Sequence, residues 1–244
     1  MIEVTRRGTG PEVLLVHGGA SPEATWSGLE HLSRRWTLLF AYRRGFAPSP
    51  EPPGGRQDFE LDATDICELL GNRPHLVGHS YGGVGAAIAA IRQPDQVRSL
   101  TLVEPALFFP RDDPEVARFK RMGEEFLTLG LETPPATLRE FLAIAGAPVP
   151  KRGPLPEAVI RSVRRAQGSR PPSDACPPLD VLRHAGLPSL VASGGHHPVL
   201  ERMCDAVAAT AGAQRVVAPG AGHFVAAAPG FAGQLEDFLL ASRR

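Results

Sequence analysis

The sequence predicts an α/β fold: a mostly parallel central sheet with helices on both faces and a helical segment inserted near its middle. Three observations carry this. Short apolar, β-rich runs recur along the chain, helical patterns separate them, and one long stretch contains no convincing strand. Strands that alternate with helices imply a parallel sheet covered on both faces.

The expected strands are Glu12 to His17, Trp36 to Tyr42, His75 to His79, Val97 to Val103, Pro188 to Ser193 and Gln214 to Ala218. Between them, helices are expected over 57–70, where Leu61, Ile66, Leu69 and Leu70 are apolar, and over 81–93, 199–211 and 229–242. From Pro105 to Pro188 the alternation stops, and 14 of the 25 prolines fall in this stretch. Val116, Phe119, Met122 and Phe126 step at helical spacing there, as do Leu138, Phe141, Leu142 and Ala145, while Ser169 to Pro178 reads as a loop. Because strands resume afterwards, the division expected is a core of 1–104 and 188–244 carrying a helical cap of 105–187 in one structural domain.

Composition narrows the function classes. The 244 residues hold 26 Lys plus Arg against 26 Asp plus Glu, so no net field draws the chain to nucleic acid or to an anionic membrane. The amino terminus, Met1 to Arg7, has no signal-peptide core, and no apolar run of membrane-spanning length occurs, so a cytoplasmic location is expected. Cys67, Cys176 and Cys204 are odd in number and widely spaced, which argues against a disulfide framework or a cysteine zinc site; they are expected reduced and buried or half-buried. The adjacent pair His196-His197 does not read as a metal site either, since neighbouring loop residues seldom converge on one ion and no carboxylate or cysteine flanks them.

The segment that carries chemistry is His75-Leu76-Val77-Gly78-His79-Ser80-Tyr81-Gly82-Gly83, a G-x-S-x-G between an apolar strand and a small-residue helix. With 26 glycines in the chain the pentapeptide alone is a weak signal. Its context is stronger, because a nucleophile on a sharp strand-to-helix turn needs glycine two residues before and two after it, where a Cβ would strike neighbouring backbone. Two further glycine-flanked segments end expected strands: Leu14-Leu15-Val16-His17-Gly18-Gly19-Ala20 and Gly220-Ala221-Gly222-His223-Phe224.

With these segments the chain resembles the α/β-hydrolase family. The resemblance implies Ser80 as nucleophile, His223 as its base, and the backbone amides of Gly19 and Tyr81 as the oxyanion hole, with His17 ordering the loop. It implies a serine hydrolase that cleaves an ester, thioester or lactone of a small to medium, mostly apolar molecule through an acyl-enzyme. No cofactor and no metal are called for, and the partner is a small-molecule substrate; oligomeric state is left open. Ser rather than Asp at the elbow sets the chain apart from relatives that open epoxides or displace halide. Non-hydrolytic relatives, such as lyases or carbon–carbon-bond-cleaving enzymes, and a ligand-binding pseudo-hydrolase are the alternatives.

Two departures from the family pattern stand out. The segment Ala41 to Ser49 is similar to the family's Asp-Arg-Arg-Gly-Phe-Gly-x-Ser turn, but Tyr42 and Ala47 replace Asp and Gly, and a structural turn beside the site is expected. The stretch Leu190 to Pro198, where most relatives carry the catalytic acid, has no carboxylate. The next acids are Glu201 and Asp205; some relatives place the acid one strand earlier, which corresponds to Glu104. Chain order admits Glu104 and Asp205 alike, and a strand-end position favours Glu104 as the residue that orients His223.

Overall fold

A computed structural model describes residues 1–242. Its elements in chain order are β1 (Val4–Arg7), β2 (Glu12–Val16), α1 (Pro22–Thr25), β3 (Thr37–Ala41), α2 (Phe59–Cys67), β4 (His75–His79), α3 (Ser80–Arg92) and β5 (Ser99–Val103). Then come α4 (Pro114–Leu129), α5 (Pro135–Ile144), α6 (Glu157–Ala166), α7 (Asp180–His184), β6 (Ser189–Ser193), α8 (Pro198–Ala211), β7 (Gln214–Val217) and α9 (Phe231–Ala241). The strands form one sheet in the order β1-β3-β2-β4-β5-β6-β7, parallel throughout except for the antiparallel β1–β3 pair.

Strand β1 was not foreseen. Its residues Val4-Thr5-Arg6-Arg7 are half-buried at the first position and exposed at the other three, as expected of a short polar edge strand that carries no apolar alternation to read. The other six strands lie within the expected runs, trimmed by a residue or two at their ends.

Side-chain alternation divides the core into two layers. Leu14, Val16, Leu76, Leu100 and Leu102 face α2, α3 and α8, packing with Phe59, Ile66, Val84 and Val207. Val13, Leu15, Val77 and Val103 face the other way, against Trp26, Trp36, and the α9 residues Phe231, Leu235 and Phe238. Both faces of the central strands are therefore sealed. Among the described residues, no helix is long and apolar enough to cross a membrane.

No strand lies between β5 and β6 among the described residues. Asp113 caps α4 by accepting from the amides of Glu115 and Val116, with Pro114 in the first turn, and His197 caps α8 by accepting from Val199 N, with Pro198 following it. Val116, Phe119, Met122 and Ile144 dock on Val199, Leu200 and Met203 of α8, so the inserted helices are seated on the core. Helix α7 behaves differently from α4–α6: Leu179 and Leu182 pack in the core layer with Val207. Cys204 is buried and Cys67 half-buried, but Cys176 is exposed, a correction to the expectation; it sits in the proline-rich loop before α7, on no packed face.

The C-terminal helix docks through its buried side chains Phe231, Leu235, Phe238 and Leu239. Phe231→Ala should lower the unfolding free energy by about 3–5 kcal/mol, read as an earlier urea midpoint at unchanged slope. A loss below about 1 kcal/mol would contradict the docking of α9 described above.

Candidate active site

The site forms where β4 and β5 end side by side. Their parallel register pairs Gly78 with Leu102 and His79 with Val103, which brings the next two residues, Ser80 and Glu104, level at the carboxyl edge of the sheet. Both have left-handed backbone, φ 52° at Ser80 and 38° at Glu104. For non-glycine residues this conformation costs roughly 1–3 kcal/mol and persists only where the surroundings enforce it.

The enforcement at Ser80 is visible atom by atom. A Cβ on Gly78 would lie 2.6 Å from Ala86 Cβ and 2.8 Å from Gly83 Cα, and one on Gly82 would lie 2.1 Å from the His17 carbonyl oxygen. Only glycine fits at either place. Ala106 N–H donates to the Ser80 carbonyl at 3.0 Å and ties the turn to the chain leaving β5.

His223 stands in the loop after β7, whose Gly220 and Gly222 adopt φ 115° and 58°. Its Nδ1 donates to Glu104 Oε2 at 2.6 Å, which leaves Nε2 as the acceptor of the neutral ring. Glu104 is 2% exposed. Burial alone would raise its carboxyl, but hydrogen bonds from His196 and His223, the charge on His223 and the amide of Gly194 hold it well below the usual carboxylate range. The Gly194 bond is 2.7 Å, and a Cβ on Gly194 would sit 2.0 Å from the Gly222 carbonyl oxygen, so the β6 turn and the histidine loop interlock here.

Ser80 and His223 line the same cavity, yet no hydrogen bond joins Ser80 Oγ to the imidazole among the described residues. Such bonds commonly tighten only when substrate is held. His79, next to the elbow serine, faces inward; burial, then the charge of His223, pushes its pKa down to about 3, and its Nε2–H donates to the His223 carbonyl at 2.9 Å. It is a neutral brace for the histidine loop.

On the other side of Ser80, the His17-Gly18-Gly19 loop is organised by Arg43. His17 Nδ1–H donates to the Gly18 carbonyl at 3.0 Å, and Arg43 Nη1 donates to the same oxygen at 3.0 Å. Arg43 N–H in turn donates to His17 Nε2 at 3.0 Å. Since carbonyl and N–H point opposite ways across a trans peptide, fixing the Gly18 oxygen fixes the direction of the Gly19 N–H. Arg43, 3% exposed, also pairs with Asp62 at 2.7 Å and donates to Gln57 Oε1 at 2.6 Å. The Tyr42–Ser49 segment is thus a wall of the site, for Arg43 and Phe46 both line the cavity. Tyr81 reaches away from the elbow, its hydroxyl donating to the Arg170 carbonyl at 3.0 Å with the Gln57 carbonyl 3.3 Å away.

Asp205 is nowhere near His223. Its side chain is 67% exposed on α8 and pairs with Arg215 at 2.8 Å. Glu201 braces the β6–α8 turn, accepting from Ser193 Oγ at 2.6 Å and Gly195 N at 3.0 Å. Sequence reasoning passed over two residues that do reach the site: Arg43, and His196, whose Nδ1 lies 3.4 Å from Glu104 Oε1. The Arg-Arg in the turn was the available signal for the first. For His196 there was none beyond its place after a strand. Among the described residues, no group of three or more His, Cys, Asp or Glu is arranged to hold a metal ion.

The cavity over Ser80 measures about 460 Å³. Phe108, Phe119, Phe126, Phe141 and Leu142 line it, whereas Met122 and Phe109 do not. The aromatic rings stack in series, with centroids 5.5 Å apart for Phe119–Phe141 and 4.7 Å for Phe126–Phe141, and this shared wall turns the residues inward together.

The profile of the Alpha/beta hydrolase family matches residues 13–232. A pimeloyl-[acyl-carrier protein] methyl ester esterase of Methylococcus capsulatus is 31% identical over 190 residues, covering 74% of this chain and 70% of that protein. The enzyme of the same name from Aeromonas salmonicida is 32% identical over 114 residues, 46% of this chain and 45% of the relative. The chain thus spans about half the length of the first curated relatives it matches. A thermophilic esterase from Thermogutta terrifontis superposes with a TM-score of 0.66 at 24% identity, covering 100% of this chain and 94% of the other, a likeness of fold.

A pH effect on stability follows from Glu104. Its folded carboxyl ionises well below the unfolded value of about 4.3, so its stabilisation is complete above that pH and is lost as pH falls. Between about pH 5 and pH 3, Tm of the wild type should fall more steeply than Tm of Glu104→Gln. Parallel curves would contradict the carboxylate's pairing.

Proposed function

Because the chain belongs to the alpha/beta hydrolase family, we propose that it is a serine esterase acting through an acyl-enzyme. Ser80 Oγ attacks the acyl carbon while His223 Nε2 takes its proton and then returns it to the leaving alcohol. Glu104 stays ionised, holds the ring tautomer through Nδ1–H and stabilises the imidazolium. The amides of Gly19 and Tyr81 receive the oxyanion, the latter in the first turn of α3, where the helix dipole favours negative charge. Water then attacks the acyl-enzyme by the same steps in reverse. Helices α4–α6 serve as the cap that shapes the acyl pocket.

The single observation that carries this reading is the 2.6 Å bond between buried Glu104 and His223 in the wall of the cavity that also contains Ser80. Relatives named as methyl ester esterases favour an ester as the scissile bond. An apolar wall of phenylalanines favours an uncharged acyl or aromatic substrate.

Ser80→Ala and His223→Ala should each reduce kcat by several orders of magnitude, and the double variant should lose little more, since the groups act as one unit. Fully additive losses would contradict the assignment. Glu104→Gln should lose about 10⁴-fold in kcat, whereas Asp205→Asn should behave like wild type; a folded Glu104→Gln with near-normal turnover removes Glu104 from the triad.

Across a series of p-nitrophenyl esters from acetate upward, kcat/KM should rise by up to about fourfold per methylene until the cavity is filled. Efficient turnover confined to phosphorylated or polyanionic substrates would contradict the apolar assignment.

A further inference from the structure

Glu104 has two imidazoles on it, and the mechanism above uses one. The other, His196, follows β6 on an exposed turn, with its side chain 21% exposed beside the end of α5. Its Nδ1 lies 3.4 Å from Glu104 Oε1 and its Nε2 lies 3.0 Å from the carbonyl oxygen of Ile144, the last residue of α5. Both neighbours are acceptors. A neutral imidazole has one N–H, so in either tautomer one ring nitrogen would turn a lone pair on an oxygen; the imidazolium satisfies both.

The surroundings support the charge. From β5 comes the ionised Glu104 and from α8 comes Glu201, itself paired to Arg215 at 2.6 Å. The histidines nearby are His197, the next residue in the chain, whose proton affinity is lowered by burial and by His196, and His223, with ring centroids 6.4 Å away. His196 itself is shifted toward the protonated form by its bond to Glu104, against the effect of burial.

What the ring joins matters for the site. Beyond Ile144, Ala145 lines the cavity, and Gly146 lies so close to His223 that an added Cβ would stand 2.4 Å from His223 Cβ. The end of α5 therefore rests on the base, and the Ile144 carbonyl is the point at which it is tied down.

We infer that His196 is a positioning residue of the reaction: as an imidazolium it bridges the triad acid and the end of α5, so that the pocket wall and the catalytic base are held as one unit. This rests on the reading of Glu104 and His223 as triad members. Two consequences follow. Removing the tether loosens the wall and weakens substrate binding. Removing the positive charge leaves the Glu104 charge acting undivided on His223, which raises the proton affinity of the base, so the acid limb of the rate profile moves to higher pH.

The experiment compares pH profiles of kcat/KM for wild type and His196→Gln on a p-nitrophenyl ester long enough to fill the cavity, beside ¹⁵N NMR of the ring nitrogens of wild-type His196 near neutral pH. The expected results are two protonated ring nitrogens, a KM raised about tenfold with kcat at its optimum changed less, and an acid limb displaced upward by about one pH unit. An acid limb that stays in place overturns the inference however KM moves, because a merely structural contact would change KM alone. A neutral His196 ring overturns it too, and that reading needs neither a folded variant nor any turnover. It therefore separates failure of this inference from failure of the esterase assignment.

Discussion

The arrangement of the site depends on one constraint, the parallel pairing of β4 with β5. Parallel register sets His79 opposite Val103, and so delivers a hydroxyl and a carboxylate to the same level at the same edge of the sheet. Left-handed backbone at both residues turns the chain sharply out of each strand. A strand that continued at either place would carry its side chain to one face of the sheet, into packed apolar neighbours. The strain is maintained by close backbone approaches: Gly82 against His17, Gly78 against Gly83 and Ala86, and Ala106 N–H on the Ser80 carbonyl.

Around that edge the loops are cross-braced by charge and hydrogen bonds rather than by apolar contact. Buried Arg43 connects the Gly18 carbonyl, the His17 ring, Gln57 and Asp62, and so couples the loop after β2 to α2. Removing one partner of such a buried pair leaves an uncompensated charge, which typically costs about 3–5 kcal/mol. On the opposite side Glu104 gathers His223, Gly194 and His196, so the turn after β6 and the loop after β7 meet on one carboxylate at the end of β5. The proposed chemistry needs this: a base whose tautomer and direction are fixed before substrate arrives loses little time or free energy to reorientation.

Much of this was legible in the sequence, and the reasons differ from residue to residue. Ser80 could be read because the turn demands glycines at fixed distances, and their absence of side chain is a local signal. His223 could be read because Gly220 and Gly222 mark a loop after the last strand. Glu104 was readable only as one of two candidates, since nothing near it in sequence announces a left-handed strand end; the pairing of β5 beside β4 places it level with Ser80 and against His223, and Asp205 is a surface partner of Arg215. Strand β1 escaped because Thr5, Arg6 and Arg7 are exposed at the sheet edge. His196 escaped for a different reason: its partners come from β5 and α5, and long-range convergence leaves no periodicity behind. Which residues of the inserted helices face the cavity was not legible, because helical spacing shows that residues share a face without showing what the face covers.

The central claim is that Ser80 is a nucleophile activated within this assembly. Incubating the folded protein with a fluorophosphonate and mapping the adduct by mass spectrometry tests it most directly. The account predicts a single covalent addition on Ser80, absent in Ser80→Ala and strongly slowed in His223→Ala. A folded protein that stays unmodified, or that is modified at another residue with Ser80 intact, would contradict it.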